Sequence, residues 1–447
     1  MKRNAIVSFV LAAATAGVIL VAQSRGVIDI TKEGQKPAIA VPDLRGSGEA
    51  QQFMDAFNRT LWNELSNSGQ VKMIPKTFYP LQIPQQPTDF KAAPQTPAMN
   101  QWSSPPLNAN WLAFGYTAVQ NGQLVLYGWL FNVTQPTVQS AQVLGKVYLG
   151  SLDEAGAMKD ARDFAADILK QFGAKSLAGT KIYFVSERTR NKEIWSMDYD
   201  GSHQSQVTHY SSITTFPAVS PDNTKLAFTT YAKGQPQIFI HSLESGRKMP
   251  FYNQNASMNA ASDFTPNSQQ LLFYSTAGGG FAQVFMSNVD GSSPHRITNC
   301  RCIDVEPKIN PKTGADIVFV SGRGGLPQIY KMNADGTDVV RLTNGEGEAT
   351  NPSWNPDGQH IAFAWTKGFD PGNYNIFVMD VATRDIVQLT HGEGRNENPT
   401  WAPDGVHLAY ASKRGRDSQI WTMLADGTGK QQITFSGNNE KPVWSRQ

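Results

Sequence analysis

Few residues in this chain stand at spacings that chemistry requires. The seven histidines (203, 209, 241, 295, 360, 391 and 407) show no metal-ligand spacing and fall in different phases of a sequence repeat. No Gly-x-Ser-x-Gly elbow is present, and the repeats run to the last residues, so no appended hydrolase domain is expected. The Asp-Gly pairs, among them Asp198-Tyr-Asp200-Gly201, suggest calcium loops but lack the closing glutamate. They stand where hairpin turns are required and read as turns. Gly278-Gly-Gly280 is followed by no helix, so it reads as a loop and not as a phosphate cradle. Cys300 and Cys302 are the two cysteines. Export would favour a disulfide, but a bridge between residues two apart is geometrically strained. Further metal ligands at useful spacing are lacking, so the pair reads as a local loop feature. No catalytic residue, cofactor or metal is expected.

The groups left to consider sit on loops, so the repeat that positions those loops comes first. Asn351-Pro-Ser-Trp-Asn-Pro-Asp-Gly358 followed by Ile361-Ala-Phe-Ala364 returns as Asn398-Pro-Thr-Trp-Ala-Pro-Asp-Gly405 and Leu408-Ala-Tyr-Ala411. A strand ends at Pro-Asp-Gly, where Pro presets φ and Gly accepts φ > 0; a β-branched and aromatic strand then begins. The aromatic of that second strand recurs as Phe184, Phe228, Phe273, Phe319, Phe363 and Tyr410, at spacings of 44, 45, 46, 44 and 47. A third strand of the type Gln328-Ile-Tyr-Lys-Met332, a tight turn such as Asp335-Gly336, and a short strand such as Arg341-Leu-Thr343 complete each unit. Four short strands at this period predict β-propeller blades. The first copy opens on a second strand at Lys181, and the last ends on a first strand, Lys441-Pro-Val-Trp444. An open array would leave both edges unpaired. The reading is therefore an all-β six-bladed propeller over 180–447, closed by pairing the C-terminal strand beside 181–186.

The loops before each first strand should ring one mouth of the central channel. Asp304, Glu306, Glu346, Glu348, Glu393, Glu397 and Glu440 gather on them, which predicts a polar, acidic mouth able to dock a partner or a cation. The loops between second and third strands, such as Arg188-Thr-Arg-Asn-Lys192, Arg323-Gly-Gly325 and Lys413-Arg-Gly-Arg416, are basic and are expected on the opposite face.

Ahead of the propeller, 37–174 reads as a small α+β domain. It has a helix over 47–66 N-capped by Ser47, a hairpin about Asn121-Gly122, and a closing helix over 153–172. Residues 75–110 carry eight prolines and read as a long surface excursion. Met1-Lys-Arg3 and the uncharged apolar run from Ala5 to Val21 read as an export signal, 1–24, leaving a flexible polar tail, 25–36. An uncleaved anchor is disfavoured because the run is Ala-rich and short for a bilayer. A net charge of +2 on 447 residues gives no electrostatic footprint for nucleic acid. The expected product is an exported monomer, periplasmic, with no membrane span after cleavage.

The layout resembles the TolB family, soluble periplasmic members of the Tol-Pal envelope complex of Gram-negative bacteria. The residues that carry it are Pro-x-Trp-x-Pro-Asp-Gly, Ile-Ala-Phe, Gln-Ile-Tyr-x-Met-x-x-Asp-Gly and Arg-Leu-Thr at 328–343, 352–366, 399–410 and 419–434, together with the domain order and Val27-Ile-Asp-Ile30 before Pro37-Ala-Ile-Ala-Val-Pro42. The resemblance implies a non-enzymatic scaffold supporting outer-membrane integrity and envelope constriction at division. It implies that the lipoprotein Pal binds at the channel mouth, at Met258, Asn259, Ala261 and Val305 with loop neighbours Asp304, Glu306, Glu348, Thr350, Glu397 and Glu440. It implies that TolA is contacted by the tail, through Val27, Ile28, Asp29 and Ile30. The chain departs from the family in the length of 75–110 and in placing Cys300-Arg-Cys302 on a mouth loop. The reading left beside it is a periplasmic propeller that binds or cleaves a glycan or peptide in its channel, which requires a buried carboxylate pair or a metal there.

Overall fold

A computed structural model of the chain describes residues 36–368 and 371–446. The expected leader and the tail residues Val27, Ile28, Asp29 and Ile30 lie outside the described residues. No helix among the described residues is long and apolar enough to cross a membrane.

The N-terminal domain is a mixed sheet built on the hairpin Trp111–Gln120 and Gln123–Asn132. Asn121 and Gly122 both take positive φ at its turn, as a primed two-residue turn demands. Ala38–Ala40 lies parallel to one side of the hairpin, and Gln142–Ser151 pairs antiparallel with the other. Successive side chains on these strands point to opposite faces. Leu124, Leu126 and Leu130 therefore meet the helices Met54–Asn67 and Glu154–Gln171, while Leu112, Phe114 and Phe131 face the other way. Asp153 caps the second helix, accepting from Gly156 N at 2.7 Å. Ser47 makes no such bond; a 3-10 turn, Gly48–Phe53, comes first and the first helix starts at Met54.

The proline-rich stretch is more than a surface excursion. It lays Tyr79, Phe90 and Trp102 over the sheet face that the helices leave open. Trp102 is fully buried, and Phe90 sits 5.5 Å from Phe114 and 5.6 Å from Phe131. Proline fixes φ without needing a ladder hydrogen bond, so an irregular segment can still be a rigid cover.

Six four-stranded antiparallel sheets follow, arranged as a six-bladed propeller. The first blade is completed by the last strand: Asn439–Trp444 pairs with Lys181–Thr189, Trp444 opposite Ile182. Blades interlock through the repeat residues. Asn310 Nδ2 donates to Gly358 O, and Asn355 Nδ2 to Gly405 O, both at 2.9 Å. Gly358 has φ +69°, and a Cβ there would stand 2.6 Å from Asn310 Oδ1, so the turn admits only glycine.

The N-terminal domain sits on the face of the propeller that carries the Pro-Asp-Gly and Asp-Gly turns. His407 Nε2 meets Asn67 O at 2.8 Å, and its Nδ1 meets Asp404 at 2.6 Å. Tyr199 hydrogen-bonds Glu64 through its hydroxyl, and Arg162 pairs with both Glu64 and Asp200 at 3.4 Å. Among the described residues, the N-terminal domain does not cover the opposite mouth.

Candidate partner-docking mouth and channel

Five of the six loops that lead into innermost strands are held by one side chain from the third strand of the preceding blade, Glu193, Gln283, Gln328, Asn375 or Gln419; at the sixth, Asn253 of the loop itself bonds the Ile238 backbone. Gln328 accepts from Thr343 Oγ1 and donates to Gly347 O, both at 2.7 Å. Gln419 makes the same pair with Thr434 Oγ1, at 2.8 Å, and Gly437 O, at 2.7 Å. Gln283 clasps the cysteine loop, accepting from Cys300 N at 2.9 Å and donating to Cys302 O at 2.7 Å. The Gln of the Gln-Ile-aromatic motif and the Thr of Arg-Leu-Thr are thus the anchors of the mouth.

The basic loops lie on this same mouth, not on the opposite face. In an antiparallel meander the second strand returns to the end where the first began, so Asp304 stands opposite Ser321 and Asn439 opposite Ser186. The two loop sets therefore interleave, and the signs cancel. Arg323 pairs with Asp304 at 2.9 Å, Arg395 with Glu397 at 2.6 Å, Lys192 with Glu440, and Lys430 with Glu393. The hydrogen bond to Glu397 raises the Arg395 pKa above its ordinary value. Burial works against ionising Glu393, but the Lys430 ammonium and backbone N–H groups hold its carboxyl below the usual range. Glu348 accepts from Tyr374 Oη at 2.6 Å. The expected acidic mouth is therefore largely neutralised.

The proposed contact residues fall into four groups. Asn259, Ala261 and Asp304 are buried and shape the mouth from beneath: Asn259 accepts from Ser275 Oγ at 2.7 Å, and the Asp304 side chain is 0% exposed. Met258 and Val305 are half-buried and pack together against Tyr274, Ala260 and Ala282. Glu348, Thr350, Glu397 and Glu440 lie half-buried at the rim. Glu306 instead lines the channel, accepting from Asn351 N at 2.8 Å.

Cys300 and Cys302 are joined as a disulfide, contrary to the plain-loop reading. Their Cα atoms are 5.1 Å apart, within the ordinary range for a bridge. The Cys300 and Cys302 sulfurs and an Asp304 oxygen lie within 4.8 Å of one another, a ligand cluster that spacing alone did not suggest. The sulfurs are spent on each other here.

Two features carried no motif. One is an apolar arc on the mouth: Ile213, Tyr231, Phe281, Ile303 and Leu326 are each 39–54% exposed, on loops of three adjacent blades. Large apolar residues inside otherwise polar loops were its signal. The other is an inner ring. Phe216, Glu306, Asn351, Asn398 and Lys441 each precede a proline, take φ between +51° and +54°, and line a channel of about 380 Å³. The register of each innermost strand shifts at these residues, a β-bulge that turns them inward.

A family model for the TolB β-propeller domain matches residues 170–370 and 343–447. A TolB homolog of Chlorobium luteolum is 30% identical over 297 residues, 66% of this chain and 64% of that protein. The Tol-Pal system protein TolB of Desulfosudis oleivorans is 34% identical over 193 residues, 43% of this chain and 42% of that protein. The aligned stretches thus span less than two thirds of these relatives' own length. The crystal structure of TolB from Acinetobacter baumannii superposes with a TM-score of 0.75, covering 92% of this chain and 97% of that one at 20% identity, a likeness of fold. By its propeller repeats and its architecture, this chain belongs to the TolB family.

Proposed function

We propose that the chain is a non-enzymatic periplasmic docking protein of a Tol-Pal system. A Pal-type peptidoglycan-associated lipoprotein binds at the free mouth, over Met258, Val305 and the rim residues Glu348, Thr350, Glu397 and Glu440. A TolA-type inner-membrane protein engages the tail 25–36. Together these contacts support outer-membrane integrity and envelope constriction at division. The observation that carries the reading is the apolar arc from Ile213 to Leu326 on a mouth that the N-terminal domain leaves open. Exposed apolar patches rimmed by polar groups mark protein interaction sites, and membership of the TolB family supports partners within a Tol-Pal system. Charged pairs on the rim then tune encounter rate more than affinity.

The test is recovery of Pal-type lipoprotein from an envelope extract on immobilised chain. Ile303→Asp should cut recovery at least about tenfold, the loss of one apolar anchor, with an unchanged melting curve. A folded wild-type chain that recovers no Pal-type lipoprotein would sink the proposal.

A further inference from the structure

Four cations converge on the channel against two carboxylates. Lys175, Lys308, Lys441 and Arg446 line it, and none forms a salt bridge among the described residues. Lys308 Nζ donates to the carbonyl of Ser262, and Lys441 Nζ lies 4.4 Å above the Phe216 ring. The lining holds two carboxylates, and both accept backbone N–H groups. Asp263 takes Ile309 N at 3.0 Å, and Glu306 takes Asn351 N at 2.8 Å. Four cations against two carboxylates leave this lining at +2, as much as the formal charge of all 447 residues. Tyr274 is 6% exposed, faces the same space, and its hydroxyl has no hydrogen-bond partner among the described residues.

We propose that the channel is a binding site for a small oxyanion, a carboxylate- or phosphate-bearing molecule, held by Lys308, Lys441 and Arg446 with the Tyr274 hydroxyl as a further donor. A volume of about 380 Å³ is at the small end of ligand pockets. Cations in excess over carboxylates around one enclosed space repel one another, and an anion turns that repulsion into attraction. The state of Lys308 agrees: burial lowers its pKa, Asp263 and Glu306 oppose the change, and Arg446 and Lys441 add to it. A bound anion would oppose both lowering causes. Prolines and the edges of Trp354, Trp401 and Trp444 complete the wall, so the non-ionic part of the ligand is compact and partly apolar. The inference does not rest on the docking of Pal or TolA.

Calorimetric titration of the purified chain with inorganic phosphate and, separately, with succinate, at constant ionic strength, tests it. One saturable site for either probe is expected, and the stronger probe tells phosphate from carboxylate ligands. Lys308→Met keeps the aliphatic stem and Arg446→Gln keeps a polar tip. Each should weaken binding at least about tenfold, the loss of one charge-assisted hydrogen bond. Should Lys308→Met fail to fold by its melting curve, Arg446→Gln carries the test. No saturable binding of either probe up to about 10 mM, or binding that neither variant weakens, would overturn the proposal. Saturable calcium binding that Asp263→Asn abolishes would overturn it too, by making the channel a cation site.

Discussion

Trp354, Trp401 and Trp444 hold equivalent positions near the ends of innermost strands and differ in the circumstances of one atom. Trp444 Nε1 donates to Thr180 Oγ1 at 2.9 Å, across the seam that closes the ring. Trp354 Nε1 donates to Lys308 O at 3.0 Å. The indole nitrogen of Trp401 is buried with no hydrogen-bond partner among the described residues. Trp401 and Trp444 are equally enclosed, at 5% and 4% exposure. Replacing either by Phe removes the same ring atoms and leaves a similar cavity, so that cost cancels in the comparison. For Trp444 the change also removes a buried hydrogen bond, about 1 kcal/mol net. Thr180 Oγ1 keeps its own bond to Leu177 O at 2.7 Å, so no further orphan is made. For Trp401 the change deletes an unsatisfied donor whose burial costs about 1–3 kcal/mol. Trp444→Phe should therefore destabilise the propeller by about 2–4 kcal/mol more than Trp401→Phe. Urea titration of the two variants side by side, read by far-ultraviolet circular dichroism at equal m-values, measures the difference. Equal costs, or a larger cost for Trp401→Phe, would refute the assignment of that difference to the pairing of the indole N–H.

Burial opposes the charge on His407, but Asp404 and the Asn67 carbonyl outweigh it and raise its pKa. A raised folded-state pKa contributes stability that is complete below the unfolded value, about 6.5, and that fades as pH rises through the folded value. The contact between the domains should therefore weaken with rising pH above neutrality, and His407→Gln should flatten that slope in melts from about pH 6 to about pH 9; an unchanged slope in the variant counts against the contact. Arg323→Ala leaves the Asp304 carboxylate buried and unpaired and should cost about 2–3 kcal/mol in a urea titration, below the usual buried-pair figure because Arg323 is partly exposed. A cost near zero would mean that the pair does not matter. Removing residues 25–36 should leave the melting curve unchanged and abolish TolA-type binding in a pull-down; a shortened chain that still binds would refute that role for the tail.

The ring was readable because its determinants are local and repeated. Pro356-Asp357-Gly358 names a turn, Phe363 names a buried strand, and six copies in an offset phase require closure. The mouth was harder to read. Its loop addresses followed from the repeat, but the pairing of Asp304 with Arg323 and of Glu440 with Lys192 joins residues on different strands. Seeing it requires noticing that the second strand ends where the first begins. Asn259 and Ala261 lie in the right segment, yet a period-two strand turns them inward. The inner ring hid for another reason. Phe216, Glu306, Asn351, Asn398 and Lys441 share a position and a backbone conformation but no chemistry, so a search for recurring residues passes over them. The constant mark is the proline that follows each. The cover formed by Phe90 and Trp102 was hidden because prolines signal the absence of regular structure and say nothing about packing.

The seam between Asn439–Trp444 and Lys181–Thr189 also sets an order of events during biosynthesis. The strand that completes the first blade leaves the ribosome about 250 residues after the strands it must join. Until it arrives, Lys181–Thr189 presents an open edge. The other five blades can form in sequence, each from contiguous chain, while the first waits. A chaperone that shields an extended edge would have its natural client here, and a protease acting before residue 439 emerges would meet an unclosed ring.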